Sequence, residues 1–240
     1  MKYVVVAVAL IIVAYAVYQY VRISRLVDTS EQLVNVAKPF SRSEGRVHML
    51  VLGDSTAVGV GSNSEETVAG RLSSALDASI ENYAMSGART RDIAAQFSLR
   101  QKGTYDIVLI QIGANDVIRF TSLEQLRDDI SLVLKNAKEV SDRVVLLTAG
   151  RVGDAPFFPR AFGWLWTYRA SQVRSPFLAS AEKYEVAYVD LYTAKDPFSS
   201  NPTRFYAPDG LHLTGDGYGF WYEEVSKVIE SKWPGYLHER

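Results

Sequence analysis

Five short apolar runs punctuate the chain, separated by longer stretches in which apolar and polar residues recur at helical spacing. The runs are Val47 to Leu52, Ile80 to Ala84, Ile107 to Ile112, Val144 to Thr148 and Val186 to Leu191. Continuous apolar runs of this length, bounded by turn formers, predict strands buried on both faces, as in a parallel sheet. Amphipathic segments near Thr67 to Leu76, Arg91 to Arg100, Leu123 to Val140, Trp164 to Tyr184 and Tyr218 to Lys232 predict the intervening helices. Ser122 followed by Gln125 predicts a capping box ahead of the third of these. Strict alternation of strand and helix implies a three-layer α/β/α sandwich on a five-stranded parallel sheet.

A different pattern precedes this region. Tyr3 to Tyr18 is an almost unbroken apolar run, extended by Tyr20 and Val21 past Gln19. A helix crosses the hydrocarbon of a bilayer with about 20 apolar residues, and tyrosines at the inner end of the run suit an interfacial belt. Residues 1–22 therefore read as an N-terminal transmembrane anchor. The rival reading is a secretory signal, with Lys2 ahead of the apolar run and Ala14-Tyr15-Ala16 as a small-residue cleavage site, which implies secretion once the leader is removed. Continuation of the apolar run beyond that site favours the anchor. Arg22, Arg25, Lys38 and Arg42 after the span lean toward a cytoplasmic domain, but the side of the membrane stays open. Residues 23–45 mix charge with Ile23, Leu26, Val27, Leu33, Val34 and Val36 until Pro39, and read as a juxtamembrane stalk. The folded domain is then expected over residues 46–233, with 234–240 as a tail.

Composition narrows the function. With 240 residues, 48% of them hydrophobic, the chain suits one well-buried domain. Its 26 basic and 27 acidic side chains leave a net charge of −1 and no basic field to collect nucleic acid. Cysteine is absent, so disulfides, thiolate metal sites and a cysteine nucleophile are excluded. Nothing in the pattern specifies an oligomeric state.

The candidate chemistry sits just beyond the apolar runs. In open α/β sheets the reactive crevice lies outside the carboxyl ends of the strands, where strand order reverses. Gly53-Asp54-Ser55 follows the first run, Ser86-Gly87 the second, and Gly113-Ala114-Asn115-Asp116 the third. A flavodoxin-like strand order makes these loops neighbours. Far downstream, Asp209-Gly210-Leu211-His212 supplies an imidazole with a carboxylate three residues before it. A serine hydroxyl is a poor nucleophile until an imidazole, oriented by a carboxylate, takes its proton. Each piece has a plain alternative. Gly-Asp-Ser is an ordinary turn, the Asn115 loop is an ordinary strand-to-helix connection, and Asp209 with His212 offers two metal ligands without a second histidine to complete a site. His48 falls in the first strand and His238 in the tail, where structural or solvated roles are expected.

Taken together and in this order, the four blocks resemble those of the SGNH hydrolase superfamily, the GDSL-type esterases and lipases. The likeness covers about Arg46 to Trp233, with Thr56 where leucine is usual and Leu213 where proline often follows the histidine. It implies Ser55 as nucleophile, His212 as base and Asp209 as its orienting carboxylate. It also implies an oxyanion hole from the backbone N–H groups of Ser55 and Gly87 and the side-chain amide of Asn115. No metal or organic cofactor is implied.

The substrate is less constrained. Phe157, Phe158, Phe162, Trp164, Leu165 and Trp166 follow the fourth strand at the crevice end and offer an acyl-chain site, packing of the next helix and rest on a membrane interface being the alternatives. Arg89, Arg91, Arg119 and Arg151 follow strand ends and are candidates for an anionic head group, Arg89 foremost. A lysophospholipid or other lipid-like acyl ester is the favoured substrate. The alternatives are an O-deacetylase or acyltransferase on a cell-envelope glycan, and a catalytically silent membrane-anchored binding module.

Overall fold

The computed structural model describes residues 1–101, 103–195 and 197–237; His238 lies outside the described residues. Five strands, β1 (Val47–Gly53), β2 (Ala78–Asn82), β3 (Ile107–Ile112), β4 (Val144–Thr148) and β5 (Ala187–Asp190), form one sheet in the order β2-β1-β3-β4-β5. Every pairing is parallel, with Met49 beside Ile80 on one side and Ile107 on the other. This is the expected flavodoxin-like order, in which the chain adds β2 on one side of β1 and β3 to β5 on the other, so that the switch point lies between β1 and β3. Helices cover both faces. In chain order they are α1 (Lys2–Val36), α2 (Ser55–Val58), α3 (Val68–Leu76), α4 (Ile93–Leu99), α5 (Ala114–Ile118), α6 (Leu123–Val140), α7 (Gly163–Lys183), α8 (Pro202–Phe205) and α9 (Gly215–Lys232).

Alternation along the strands divides the core in two. Met49, Val51 and Leu109 pack with α3 and α9, whereas Leu50, Leu52, Val108 and Ile110 pack with α4, α6 and α7. All six residues of β3 are buried, as its continuous apolar run requires. β2 lies two residues earlier than its apolar run predicts. As an edge strand it reads Ala-Ser-Ile-Glu-Asn, with burial on alternate residues only. The capping box does not form: Ser122 makes no side-chain cap, and Gln125 Nε2 donates instead to Asp129 Oδ1 at 2.8 Å.

The N-terminal segment departs most from expectation. The expected anchor and the expected stalk as far as Val36 form one unbroken helix, α1, with no break at residue 22. Its first part is long and apolar enough to cross a membrane, and none of that window is buried. Its last turns and the following residues dock on the domain, where Leu33, Val34, Ala37 and Phe40 pack against the α3/α9 side of the core. Arg42 then pairs antiparallel with Ile80, its N–H donating at 3.2 Å and its carbonyl accepting at 2.7 Å. The same helix is tied higher up by Arg22, whose guanidinium donates to the carbonyls of Phe157, at 3.1 Å, and Pro156. Residues 22–42 thus belong to the folded body rather than to a free stalk.

Candidate active site

The turn after β1 is built around Gly53, whose φ of 154° leaves no room for a side chain: a Cβ there falls 2.1 Å from the Gln111 carbonyl oxygen. Gln96 of α4, fully buried, holds this turn with its amide. Oε1 accepts from Gly53 N–H and Nε2 donates to Gly53 C=O, both at 2.8 Å. Asp54 caps α2, its Oδ1 accepting from Thr56 N–H at 2.9 Å and from Thr56 Oγ1 at 2.8 Å. Ser55 becomes the first residue of that helix and points into a cavity at the carboxyl ends of the strands.

Asp209 and His212 lie on the loop before α9. Asp209 is fully buried, and its Oδ1 accepts from the backbone N–H groups of Leu211 and His212, both at 3.0 Å. Its Oδ2 lies 2.5 Å from His212 Nδ1. A carboxylate oxygen only accepts, so Nδ1 carries the proton and Nε2 is left as the acceptor. Burial acts to raise the Asp209 carboxyl, but the bond to His212 and the two N–H donors outweigh it and hold it below the usual carboxylate range. The loop itself is closed by Ala207 N–H to His212 C=O at 2.8 Å and Gly210 N–H to Ala207 C=O at 2.8 Å. Gly210, at φ 68°, permits this turn.

The segments that carry Ser55 and His212, 157 residues apart in sequence, pack directly. A Cβ on Gly61 falls 2.6 Å from the Leu213 carbonyl oxygen and 3.3 Å from His212 Cβ, so glycine alone allows this approach. Below them, buried Tyr218 of α9 donates its hydroxyl to Val60 C=O at 3.0 Å, tying the two loops together. Ser55 and His212 line one cavity of about 670 Å³. Among the described residues no hydrogen bond joins the two side chains; such bonds are often long in unliganded enzymes and tighten on substrate binding.

Gly87 and Asn115 line the same cavity. Gly87 adopts φ 81°, and a Cβ on it would meet only Arg119 Nη2, at 3.5 Å, so conformation rather than crowding calls for glycine. Asn115 is the second residue of α5, half-buried, just beyond β3. Its neighbour Asp116 is buried and turns away, Oδ2 accepting from Thr90 N–H at 3.0 Å and Thr90 Oγ1 at 2.7 Å. That pair ties the loop after β3 to the loop after β2.

Asp54 is the unusual charge of the site. Burial pushes its carboxyl up to about 6, against the pull of the Thr56 donors and of His212. Its Oδ2 is buried without a hydrogen-bond partner. Two carboxyls thus act on one imidazole from different environments, one held ionised and one pushed toward neutrality.

Of the expected substrate residues Arg151 lines the cavity, whereas Phe157, Phe158, Trp164 and Arg89 do not. Phe158 is buried among α6 and α7 core residues, its ring tilted by 35° against Trp166 at 4.5 Å between ring centroids, and Phe157 packs against the same cluster. Trp164 is exposed, and Arg89 is not among the cavity's lining residues. Phe157, Phe158 and Trp166 pack with the α6 and α7 residues of the core. The cavity wall is instead formed by Leu191, Phe198, Tyr206, Phe220 and Trp221, with Val34 and Ser30 contributed by α1. Sequence pattern gave no hint of this set, since the residues come from loops and helices that do not follow the active strands. Gln96 was equally invisible, as a lone glutamine inside a helix. No cluster of three or more metal-ligating side chains occurs among the described residues.

A five-stranded parallel sheet in the order β2-β1-β3-β4-β5, with Ser55 and His212 lining one cavity at its switch point, is the organisation of an SGNH-type hydrolase. A GDSL-like lipase/acylhydrolase family model matches residues 51–220, and the chain belongs to that family. It is 26% identical over 148 residues to the isoamyl acetate-hydrolyzing esterase of Saccharomyces cerevisiae, a match spanning 58% of this chain and 62% of that protein. Among solved structures it resembles TesA, at 20% identity and a TM-score of 0.61 over 77% of this chain and 99% of that one. It also resembles a catalytic mutant of Axe2, an acetylxylan esterase from Geobacillus stearothermophilus, at 17% identity and a TM-score of 0.59 over 80% of this chain and 96% of that one. Likeness at these identities establishes the fold.

Proposed function

We propose that the protein is a membrane-anchored serine esterase that cleaves a carboxylic ester through an acyl-enzyme. The observation that carries this reading is the His212–Asp209 pair, with Nδ1 committed to the carboxylate, facing the same cavity as Ser55. Ser55 Oγ attacks the ester carbonyl while His212 Nε2 takes its proton, and the imidazolium returns that proton to the departing alcohol. Water then repeats the sequence on the acyl-enzyme. The oxyanion of each tetrahedral intermediate is held by the N–H groups of Ser55 and Gly87 and the amide of Asn115.

The cavity supports a lipid-like acyl group. Its walls are largely apolar, and at about 670 Å³ it has room for far more than an acetyl group. The apolar run of α1 keeps the enzyme at a membrane, where such esters reside. Fluorophosphonate labelling of the full chain in detergent tests the chemistry: the wild type is expected to form an adduct and Ser55→Ala none. Absence of a serine-dependent adduct refutes it. A series of p-nitrophenyl esters tests the substrate class, with kcat/KM expected to rise from acetate to longer chains; preference for acetate refutes the lipid reading and favours the deacetylase.

A further inference from the structure

The start of α7 exposes a cluster of large side chains that the esterase chemistry does not use. Phe162, Trp164, Leu165 and Tyr168 are 49%, 63%, 37% and 61% exposed. Trp164, Leu165 and Tyr168 lie three and four residues apart and so share a face of the helix. Trp164 and Tyr168 line a hollow that Tyr15 and Tyr18 of α1 line from the other side. Arg22, one turn further along α1, fixes this juxtaposition through the carbonyls of Pro156 and Phe157, and exposed Arg160 sits on the same rim.

Those tyrosines mark a height. They close the apolar run of α1, so a bilayer that takes up the run places Tyr15 and Tyr18 at its interface, and Arg22 about 10 Å from Tyr15 along the helix. Trp164 and Tyr168 stand at the same level. Tryptophan and tyrosine favour that zone because the ring is apolar and the N–H or O–H stays hydrated, while arginine meets phosphate there. We propose that the Phe162–Tyr168 surface is a second, peripheral membrane contact, which seats the catalytic domain on the same phospholipid bilayer that α1 enters. The domain then does not swing on its anchor. Its orientation is fixed by Arg22 on one side and the aromatic patch on the other.

This rests on α1 being an anchor, and the test separates the two. The chain has no cysteine, so single cysteines can be introduced and spin-labelled in the full chain, reconstituted in phosphatidylcholine–phosphatidylglycerol vesicles. Val8→Cys reports the anchor, Trp164→Cys and Tyr168→Cys the patch, and Glu139→Cys the end of α6 far from the crevice. Collision with oxygen and with a water-soluble nickel chelate measures depth. The expected result is high oxygen and low nickel accessibility at 8, intermediate depth at 164 and 168, and free nickel access at 139. Lipid exposure at 8 with 164 and 168 as nickel-accessible as 139 overturns the seating and leaves the anchor standing. Shielding of 164 and 168 from both reagents indicates a protein cover and also overturns it. Nickel access at 8 overturns anchor and seating together, while the fluorophosphonate result remains independent of all three.

Discussion

Gln96 grips both polar backbone groups of Gly53, accepting from its N–H and donating to its C=O at 2.8 Å each. Gly53 is two residues before Ser55, so this amide sets the direction in which the chain leaves β1 for α2. Gln96→Ala would leave two buried backbone groups with fewer partners, at a cost of about 1–3 kcal/mol. It would also free the turn, and misplacement by an ångström is worth roughly 10² in rate. The expected outcome is a lower Tm together with a fall in kcat of about that size and little change in KM. An equal fall in stability with kcat intact would limit Gln96 to the core.

Asp54 makes stability depend on pH in an unusual direction. Its folded pKa is raised by burial from 3.8 to about 6, so between those values the folded state binds the proton that the unfolded chain releases. The stabilisation is therefore complete below about pH 4 and lost as pH rises through about 6. Two units correspond to on the order of 3 kcal/mol. Asp54→Asn keeps an acceptor for Thr56 and removes the titration. Melting curves from pH 4 to 8 are expected to show the variant gaining on the wild type as pH rises, with the difference levelling off above pH 7. Parallel curves would place the proton elsewhere.

Asp209 has the opposite sign. Its folded pKa lies below 3.8, so its contribution is present at neutral pH and disappears only as pH falls through that lower value. Asp209→Asn is expected to leave the neutral-pH fold largely intact, because an amide oxygen still accepts from the Leu211 and His212 N–H groups. The imidazole loses the carboxylate that holds its tautomer, and kcat is expected to fall by about 10³–10⁴. Steady-state kinetics on a soluble ester, with Tm as control, measures both.

These two aspartates also show what a linear pattern carries. The blocks around Ser55, Gly87 and Asn115 were legible because each follows an apolar run read as a buried strand, and strand ends converge at the switch point; His212 follows no strand and stood out only through its spacing from Asp209 and the family resemblance. β2 was misplaced by two residues because an edge strand has one wet face and interrupts its apolar run with Ser79 and Glu81. Cavity walls were not legible at all. Phe198, Phe220 and Val34 reach the site from β5's trailing loop, α9 and α1, and no periodicity records which surfaces meet across such distances. The aromatic run at Phe157 to Trp166 misled for the same reason, since composition announces burial but not against what.

Val34 offers the sharpest test of α1 as part of the cavity. It packs against the core and lines the cavity wall. If α1 closes the acyl site, Val34→Trp fills part of the roughly 670 Å³ and sets a shorter limit on the acyl chain. A lost pocket methylene is worth about 1–3 kcal/mol in discrimination, so kcat/KM for the longest p-nitrophenyl ester is expected to drop by about 10-fold or more. The acetate ester should be turned over as before, because Ser55 and His212 are untouched. A uniform loss across the series would mean that α1 only supports the loop packing, and an unchanged profile that the chain binds away from it.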